Sequence, residues 1–143
     1  MSGCWSGWLE PKGPGGDQRR GQIGAVNRRV LFILNDPPYG SERLFNGLRL
    51  AGALAKREES EVRIFLMGDA VVSAMADQKL PAGYYHVDRM LAVTVRHGAE
   101  VGCCSSCMDA RGITDAMLTE ATRRSSMEEL ADWTLWADRV LTF

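Results

Sequence analysis

The sequence carries almost no net charge and contains few histidines. Lysine and arginine number 17 against 18 acidic residues, which gives a formal net charge of −1, and there are two histidines. So small a charge provides no electrostatic basis for binding nucleic acid or an anionic membrane. A zinc site needs four suitably spaced ligands, and the sequence has neither a second C-x-x-C pair nor an H-x-x-x-H pair. We therefore expect no metal, no other cofactor and no nucleic-acid partner.

Long apolar runs are also missing. No segment approaches the ~18 consecutive apolar residues of a membrane-spanning helix, and the N-terminus lacks the apolar core and cleavage site of a signal peptide. We therefore expect no membrane partner and a cytoplasmic location. Disulfides are rare in that reducing compartment, so clustered cysteines indicate catalytic, redox or metal-binding chemistry.

The first 27 residues differ in composition from the rest of the chain. Residues 1–27 are rich in glycine and proline and show no helical or strand period, which predicts a disordered N-terminal leader. Residues 28–143 alternate apolar runs of strand length with amphipathic helical patterns. A segment of this size is expected to form one domain with a substantial core.

The order of the periodic segments predicts the architecture. Strands are predicted over residues 28–35, 61–67, 99–103, 122–124 and 139–143. Helices are predicted over residues 42–57, 70–75, 84–97, 114–121 and 127–137. This alternation predicts a three-layer α/β sandwich with a mostly parallel five-stranded sheet. In such a sheet the functional crevice lies at the carboxyl ends of the strands.

Three of the four cysteines lie within five residues at such an end. Cys103, Cys104 and Cys107 follow the third predicted strand, at a segment with helix-start character. The partial positive charge of a helix N-terminus favours thiolate over thiol, so this position suits sulfur chemistry. The alternative is that the cysteines are small buried hydrophobic residues, as free cysteines often are.

Arg111 follows the cysteines and is itself followed by a glycine. Its guanidinium could stabilise a thiolate or persulfide, or form a salt bridge with Asp109 or Asp115. Both interpretations stay open at this point.

A second polar loop, residues 36–41, follows the first predicted strand. Because the carboxyl ends of parallel strands share one edge of the sheet, this loop and the cysteines are expected to converge. Asp36, Tyr39 and Gly40 are therefore candidate pocket residues. The alternative is an ordinary turn in which Asp36 caps the backbone and Tyr39 packs.

Several motifs, taken in order, resemble the DsrE/DsrF-like family and its YchN-type branch. The matching segments are residues 35–43 (NDPPYGSER), 81–85 (PAGYY), 104–112 (CSSCMDARG), 126–133 (SMEELADW) and 137–143 (ADRVLTF). The resemblance implies a parallel, flavodoxin-like α/β sheet assembled into homotrimers or homohexamers. It also implies sulfur relay through a cysteine persulfide, with sulfur donor and acceptor proteins as partners.

The resemblance also implies which cysteine carries the sulfur. In the sulfur-carrier branch the active cysteine stands eight residues before the glycine of an Arg-Gly pair, which corresponds to Cys104 here, with Cys107 as the second candidate. Cys103 is an extra cysteine, and Ser105-Ser106 stands where many YchN-type members have Gly-Thr. Two other functions stay open: an oligomeric binding or scaffold module with structural cysteines, and a thiol-disulfide redox protein with a reversible Cys104–Cys107 disulfide.

Overall fold

The computed structural model describes residues 27–143. The predicted leader over residues 1–27 lies outside the described part, apart from Asn27. The strands are β1 (Arg28–Leu34), β2 (Ser60–Leu66), β3 (Glu100–Cys104), β4 (Arg123–Ser125) and β5 (Arg139–Thr142). The α-helices are α1 (Arg43–Ala55), α2 (Val87–Arg96), α3 (Ser105–Asp109) and α4 (Met127–Trp136), with 3-10 helices at Gly68–Ala74 and Asp115–Met117.

The five strands form one sheet in the order β4-β3-β2-β1-β5, and every neighbouring pair is parallel. This confirms the predicted α/β class and the five-stranded parallel sheet. The register pairs Leu34 with Leu66 and places Phe65 on the opposite face.

Helices cover both faces of the sheet and form the three predicted layers. On one face Gly47 of α1 lies against Leu34 and Phe143, and α2 packs beside α1. On the other face Trp133 of α4 meets Phe65 edge-on, with ring centroids 6.1 Å apart. A continuous apolar strand such as β1 is buried because both of its faces are covered.

The predicted helix over residues 114–121 is wrong. Only Asp115–Met117 forms a short 3-10 turn, and the backbone N–H of Thr119 donates to the carbonyl of Ala74 at 2.8 Å. Met117 is 43% exposed, so the segment lacks the buried apolar stripe that stabilises a surface helix. The predicted short helix over 70–75 is a 3-10 helix, and the other predicted elements match to within about three residues at each end.

No helix in the part of the chain that the structure describes has the length and apolar character needed to cross a membrane.

Candidate thiol site

The three clustered cysteines lie where β3 ends and α3 begins. Cys103 and Cys104 are the last two residues of β3, and Cys107 lies in the first turn of α3. All three thiols are free. Cys103 and Cys104 are buried, while Cys107 is half-buried. The three-residue spacing brings Cys104 and Cys107 side by side, and each thiol shifts the pKa of the other.

The surroundings of Cys104 favour its thiolate. Burial raises the pKa of Cys104, but several hydrogen bonds outweigh this effect. The hydroxyl Oγ of Ser106 lies 3.3 Å from Cys104 Sγ, and the backbone N–H groups of Cys107 and Ser106 and the Cys107 thiol also donate to it. The net pKa of Cys104 is below the ordinary value of a thiol, which makes it the best nucleophile of the three.

Cys107 has the opposite tendency. Burial raises the pKa of Cys107, and the hydrogen bond to Cys104 raises it further. Two groups oppose this shift: the backbone N–H of Gly68 donates to Cys107 Sγ at 3.2 Å, and the Arg111 guanidinium favours a negative charge there. The net pKa of Cys107 is raised, so of the two thiols this one favours the protonated form.

Cys103 is separated from this pair by the alternation of side chains along β3. Successive residues of a strand point to opposite faces of the sheet, so Cys103 and Cys104 face different layers. Burial raises the pKa of Cys103 to about 12, and a hydrogen bond with Thr122 only partly offsets it. Cys103 has the properties of a small core residue.

Arg111 is held against the 3-10 helix that follows β2. Its Nη2 lies 2.6 Å from Asp69 Oδ1, and its Nη1 donates to a backbone carbonyl of α3 at 3.0 Å. The predicted alternative of a salt bridge to Asp109 or Asp115 is wrong, because Arg124 binds both carboxylates at 2.8 and 2.6 Å. Arg111 therefore joins the loop after β2 to the loop after β3, beside Cys107.

The side chains of the loop after β1 form hydrogen bonds with residues other than the thiols. Asp36 accepts a hydrogen bond from Ser41 Oγ at 2.7 Å, and the Tyr39 hydroxyl donates to Gln78 Oε1 at 2.9 Å. Burial raises the pKa of Tyr39. Gly40 is exposed at a φ of +102°, a turn conformation that glycine adopts without strain. Within residues 27–143 no hydrogen bond joins these side chains to Cys104 or Cys107.

A polar groove of about 450 Å³ opens next to the start of α3. Its walls are Ser105, Arg124, Ser125, Ser126 and Glu129, which come from the ends of β3 and β4 and the start of α4. Cys104 is not among the residues that line this groove, although its neighbour Ser105 is. Across the described 27–143 segment, no three His, Cys, Asp or Glu side chains are grouped to hold a metal ion.

Comparison with known proteins identifies the family. A sequence model of the DsrE/DsrF-like family matches residues 28–143, which is the whole described domain except Asn27. The chain belongs to the DsrE/DsrF-like family. The resemblance seen in the sequence motifs is thereby confirmed.

Relatives within the DsrE/DsrF-like family share the full length of the domain. Protein YchN from Escherichia coli is 42% identical over 117 residues, covering 81% of this chain and 99% of YchN. An uncharacterised protein from Methanopyrus kandleri is 32% identical over 114 residues, covering 80% of this chain and 93% of that protein.

Solved structures agree with this assignment. The crystal structure of the E. coli YchN protein matches with a TM-score of 0.76 over 81% of this chain and 99% of that chain. A protein of unknown function from Methanobacterium thermoautotrophicum matches with a TM-score of 0.63 at 14% identity, covering 80% of this chain and 98% of that chain. At that identity the likeness extends to the fold alone.

Three further groups of this DsrE/DsrF-like protein belong to the site although the sequence did not single them out. They are the backbone N–H of Gly68, the carboxylate of Asp69 and the hydroxyl of Ser106. Gly68 and Asp69 directly follow β2, so the rule that identified the loops after β1 and β3 also applies to them. Gly68 and Asp69 could therefore be predicted from the sequence by applying this rule to every strand. The Ser106 contact could not, because it depends on side-chain placement.

Proposed function

We propose that this protein carries sulfane sulfur as a persulfide on Cys104. The observation that supports this proposal is the set of hydrogen-bond donors around Cys104 Sγ, which favours the thiolate that sulfur transfer requires. The family resemblance supports it independently, because the relatives known as sulfur carriers have their active cysteine at the position of Cys104.

The proposed step is a thiolate exchange at sulfur. The Cys104 thiolate attacks the outer, sulfane sulfur of a donor persulfide, and the bond between that sulfur and the donor's own cysteine breaks. The donor leaves as a thiolate, and Cys104 becomes a persulfide. An acceptor thiolate then attacks the same sulfur in the same way, which regenerates Cys104.

Burial of Cys104 fits a carrier role. The residue is only 3% exposed, so a bound sulfane sulfur is shielded from solvent thiols until a partner reaches it. Donor and acceptor proteins are the partners that this chemistry requires, and the cytoplasm is the compartment in which the thiols stay reduced. Neither role needs a metal or another cofactor.

We also propose that the working form is a homo-oligomer, a trimer or a hexamer. Exposed apolar side chains on one side of the sheet support this assembly: Leu135 is 86% exposed, Met127 53% and Val140 42%. Light scattering coupled to gel filtration measures the assembly directly. A monomer at every protein concentration would contradict the proposal.

The test of sulfur carriage is intact mass spectrometry after incubation with a small persulfide donor and alkylation. We expect the chain with Cys107→Ser, in which no second thiol of the pair can remove the sulfur, to gain the mass of one sulfur atom at Cys104. Cys104→Ser is expected to abolish this gain and Cys103→Ser to leave it unchanged. Absence of the added sulfur from both the native chain and the Cys107→Ser variant would refute sulfur carriage.

A further inference from the structure

The second thiol of the pair has its own set of partners. Cys107 lies three residues after Cys104 at the start of α3, and each of the two thiols shifts the pKa of the other. The sulfur of Cys104 becomes the inner atom of a persulfide. The backbone N–H of Gly68 donates to Cys107 Sγ at 3.2 Å, and the Arg111 guanidinium lies beside it, held by Asp69. A carrier that only passes sulfur outward needs none of these contacts around a second thiol.

We propose that Cys107 discharges the Cys104 persulfide within the same chain, which releases sulfide and leaves a Cys104–Cys107 disulfide. This inference rests on the proposed function, because it starts from a persulfide on Cys104. It assigns to the site a reaction, the reduction of sulfane sulfur to sulfide, and a partner class, a dithiol reductant.

The step balances within the protein. The Cys107 thiol loses its proton and attacks Cys104 Sγ, so a bond forms between the two cysteine sulfurs and the bond from Cys104 Sγ to the sulfane sulfur breaks. The sulfane sulfur leaves with the electron pair and takes up a proton, which gives hydrogen sulfide. The two cysteines are oxidised to a disulfide and the sulfane sulfur is reduced, so no external oxidant is needed.

Loading of Cys104 removes the groups that keep Cys107 protonated. In the resting site burial, the hydrogen bond to Cys104 and the charge of Cys104 all raise the pKa of Cys107. In a persulfide protonated on its outer sulfur, the form from which hydrosulfide can leave, the inner sulfur carries two covalent bonds and no charge. The two effects of Cys104 are then lost, while the effect of burial stays. The N–H of Gly68 and the Arg111 guanidinium still favour a negative charge on Cys107. The attacking thiolate is therefore favoured once sulfur has been loaded.

The product is geometrically allowed and must be reduced before a second turnover. Two cysteines at i and i+3 at the start of a short helix can be bridged with a modest backbone adjustment. The disulfide blocks Cys104 until a dithiol, of a protein or of a small molecule, exchanges with it and leaves as its own disulfide. Each cycle then converts one sulfane sulfur and one dithiol into one sulfide and one disulfide.

The experiment is a single turnover without reductant and without oxygen. Reduced protein is incubated with a small persulfide donor, and free sulfide is trapped with a fluorogenic bromobimane. The remaining thiols are alkylated, and the mass of the chain is measured by mass spectrometry. For the native chain we expect about one sulfide per chain, two fewer alkyl groups than on the reduced chain, and a disulfide mapped to Cys104–Cys107. Dithiothreitol should restore the capacity for a second turnover. Cys107→Ser should keep the sulfur on Cys104 and release sulfide at least about tenfold more slowly, because the intramolecular thiol is gone.

A pair of milder variants tests the groups around Cys107. Arg111→Gln removes a charge that lowers the pKa of Cys107, so sulfide release should shift to higher pH by more than loading of Cys104 shifts. Arg111→Lys keeps the charge and should restore much of the native pH profile. Cys103→Ser serves as the control that discharges like the native chain.

The outcomes separate this inference from the proposed function. A stable persulfide on Cys104 of the native chain, without sulfide release, overturns the inference and leaves sulfur carriage standing. Recovery of the added sulfur on Cys107 also overturns it, because the attack then occurs at the outer sulfur and transfers sulfur without reducing it. Failure of both the native chain and Cys107→Ser to take up sulfur refutes the proposed function itself.

Discussion

Cys104 and Cys107 differ only in position, yet their neighbours shift their pKa values in opposite directions. Hydrogen bonds from a hydroxyl, two N–H groups and a thiol lower the pKa of Cys104. Partial burial and the interaction with Cys104 raise the pKa of Cys107. Pairs of titratable groups with divergent pKa values indicate a division into nucleophile and proton donor. Because the two thiols interact, their titration is a property of the pair, and each variant shifts both steps.

The Ser106 hydroxyl provides the first test of this division. Ser106→Ala removes a donor to the Cys104 thiolate, so the pKa of Cys104 should rise. The pH dependence of iodoacetamide alkylation, resolved by peptide mass spectrometry, measures this shift.

Ser105→Ala is the matched control for this measurement, because Ser105 precedes Ser106 and its hydroxyl makes no hydrogen bond to Cys104 in the described part of the chain. An equal shift in both variants would contradict the role given to Ser106. Slow and incomplete labelling of every native thiol would instead favour the scaffold alternative, in which the cysteines are structural.

At the residue level the sequence predicted the location of the site better than its contacts. The cysteines and Arg111 could be identified because residue type and spacing are visible in the chain. The partner of Arg111 could not, because Asp69 lies on a different loop and is brought near only by the pairing of β2 with β3. The hydrogen-bond partners of Asp36 and Tyr39 depend in the same way on side-chain directions that a strand-end rule does not supply, and their place in a shared pocket stays a prediction.

Among the secondary-structure elements, α1 shows how the sheet limits side-chain size on a helix. Gly47 faces the sheet, and a methyl group there would lie 2.8 Å from Leu34 Cδ2 and 3.0 Å from the Phe143 ring. Gly52 lies on the same helix, where a methyl group would be 3.4 Å from Thr94 Oγ1, close to ordinary contact. The same substitution therefore has opposite consequences five residues apart.

Gly47→Ala should destabilise the protein by about 1–3 kcal/mol, the usual cost of overpacking a filled core. Gly52→Ala should stabilise it by about 0.4–1 kcal/mol, because alanine has the better helix propensity and a more restricted unfolded chain. Urea unfolding followed by circular dichroism measures both free energies. The account of α1 packing would be wrong if the two variants changed the free energy of unfolding in the same direction.

Secondary-structure elements whose apolar residues recur at a regular spacing could be predicted from the sequence, and those without such a spacing could not. The buried stripe of α1, formed by Leu44, Leu48, Ala51 and Ala55, is visible in the sequence at helical spacing. Residues 114–121 have helix-forming composition, but the fold buries no apolar stripe along them. Their backbone forms hydrogen bonds with the segment that follows β2 instead of a helix. Tertiary contacts therefore overrode local propensity in the one predicted helix that is absent.

On the scale of the whole molecule, a charged network joins the last crossover to the edge of the sheet near the site. Glu129 of α4 binds Arg123 and Ser125 of β4, and Arg123 also pairs with Glu100 of β3 at 3.5 Å. The hydrogen bond from Arg123 is the largest cause that lowers the pKa of Glu129 to about 2. Ser126 caps this helix: its Oγ accepts a hydrogen bond from the N–H of Glu129 at 3.2 Å, while the Glu129 side chain binds β4.

This network makes stability depend on acid pH in a defined direction. The pKa of Glu129 is lower in the folded chain than its value of about 4.3 in the unfolded chain. The contribution of Glu129 to the free energy of unfolding is therefore fully present above about pH 4.3. The contribution is lost as the pH falls toward about 2, where the folded carboxylate takes up its proton. The free energy of unfolding should therefore decline across this window.

Glu129→Gln tests this prediction, because it removes the titration while it keeps the shape of the side chain. The variant should be less stable than the native chain at pH 7, and the difference should shrink as the pH falls from about 4.3 toward 2. Part of the acid slope should remain, because Arg29 also lowers the pKa of Asp138 to about 2. Glu58→Gln changes an exposed carboxylate of the same type and serves as the control. If the free energies of unfolding of Glu129→Gln and the native chain differed by the same amount at every pH, Glu129 would act through packing rather than charge. The ion pair between Glu129 and Arg123 would then not stabilise the crossover from β4 to β5.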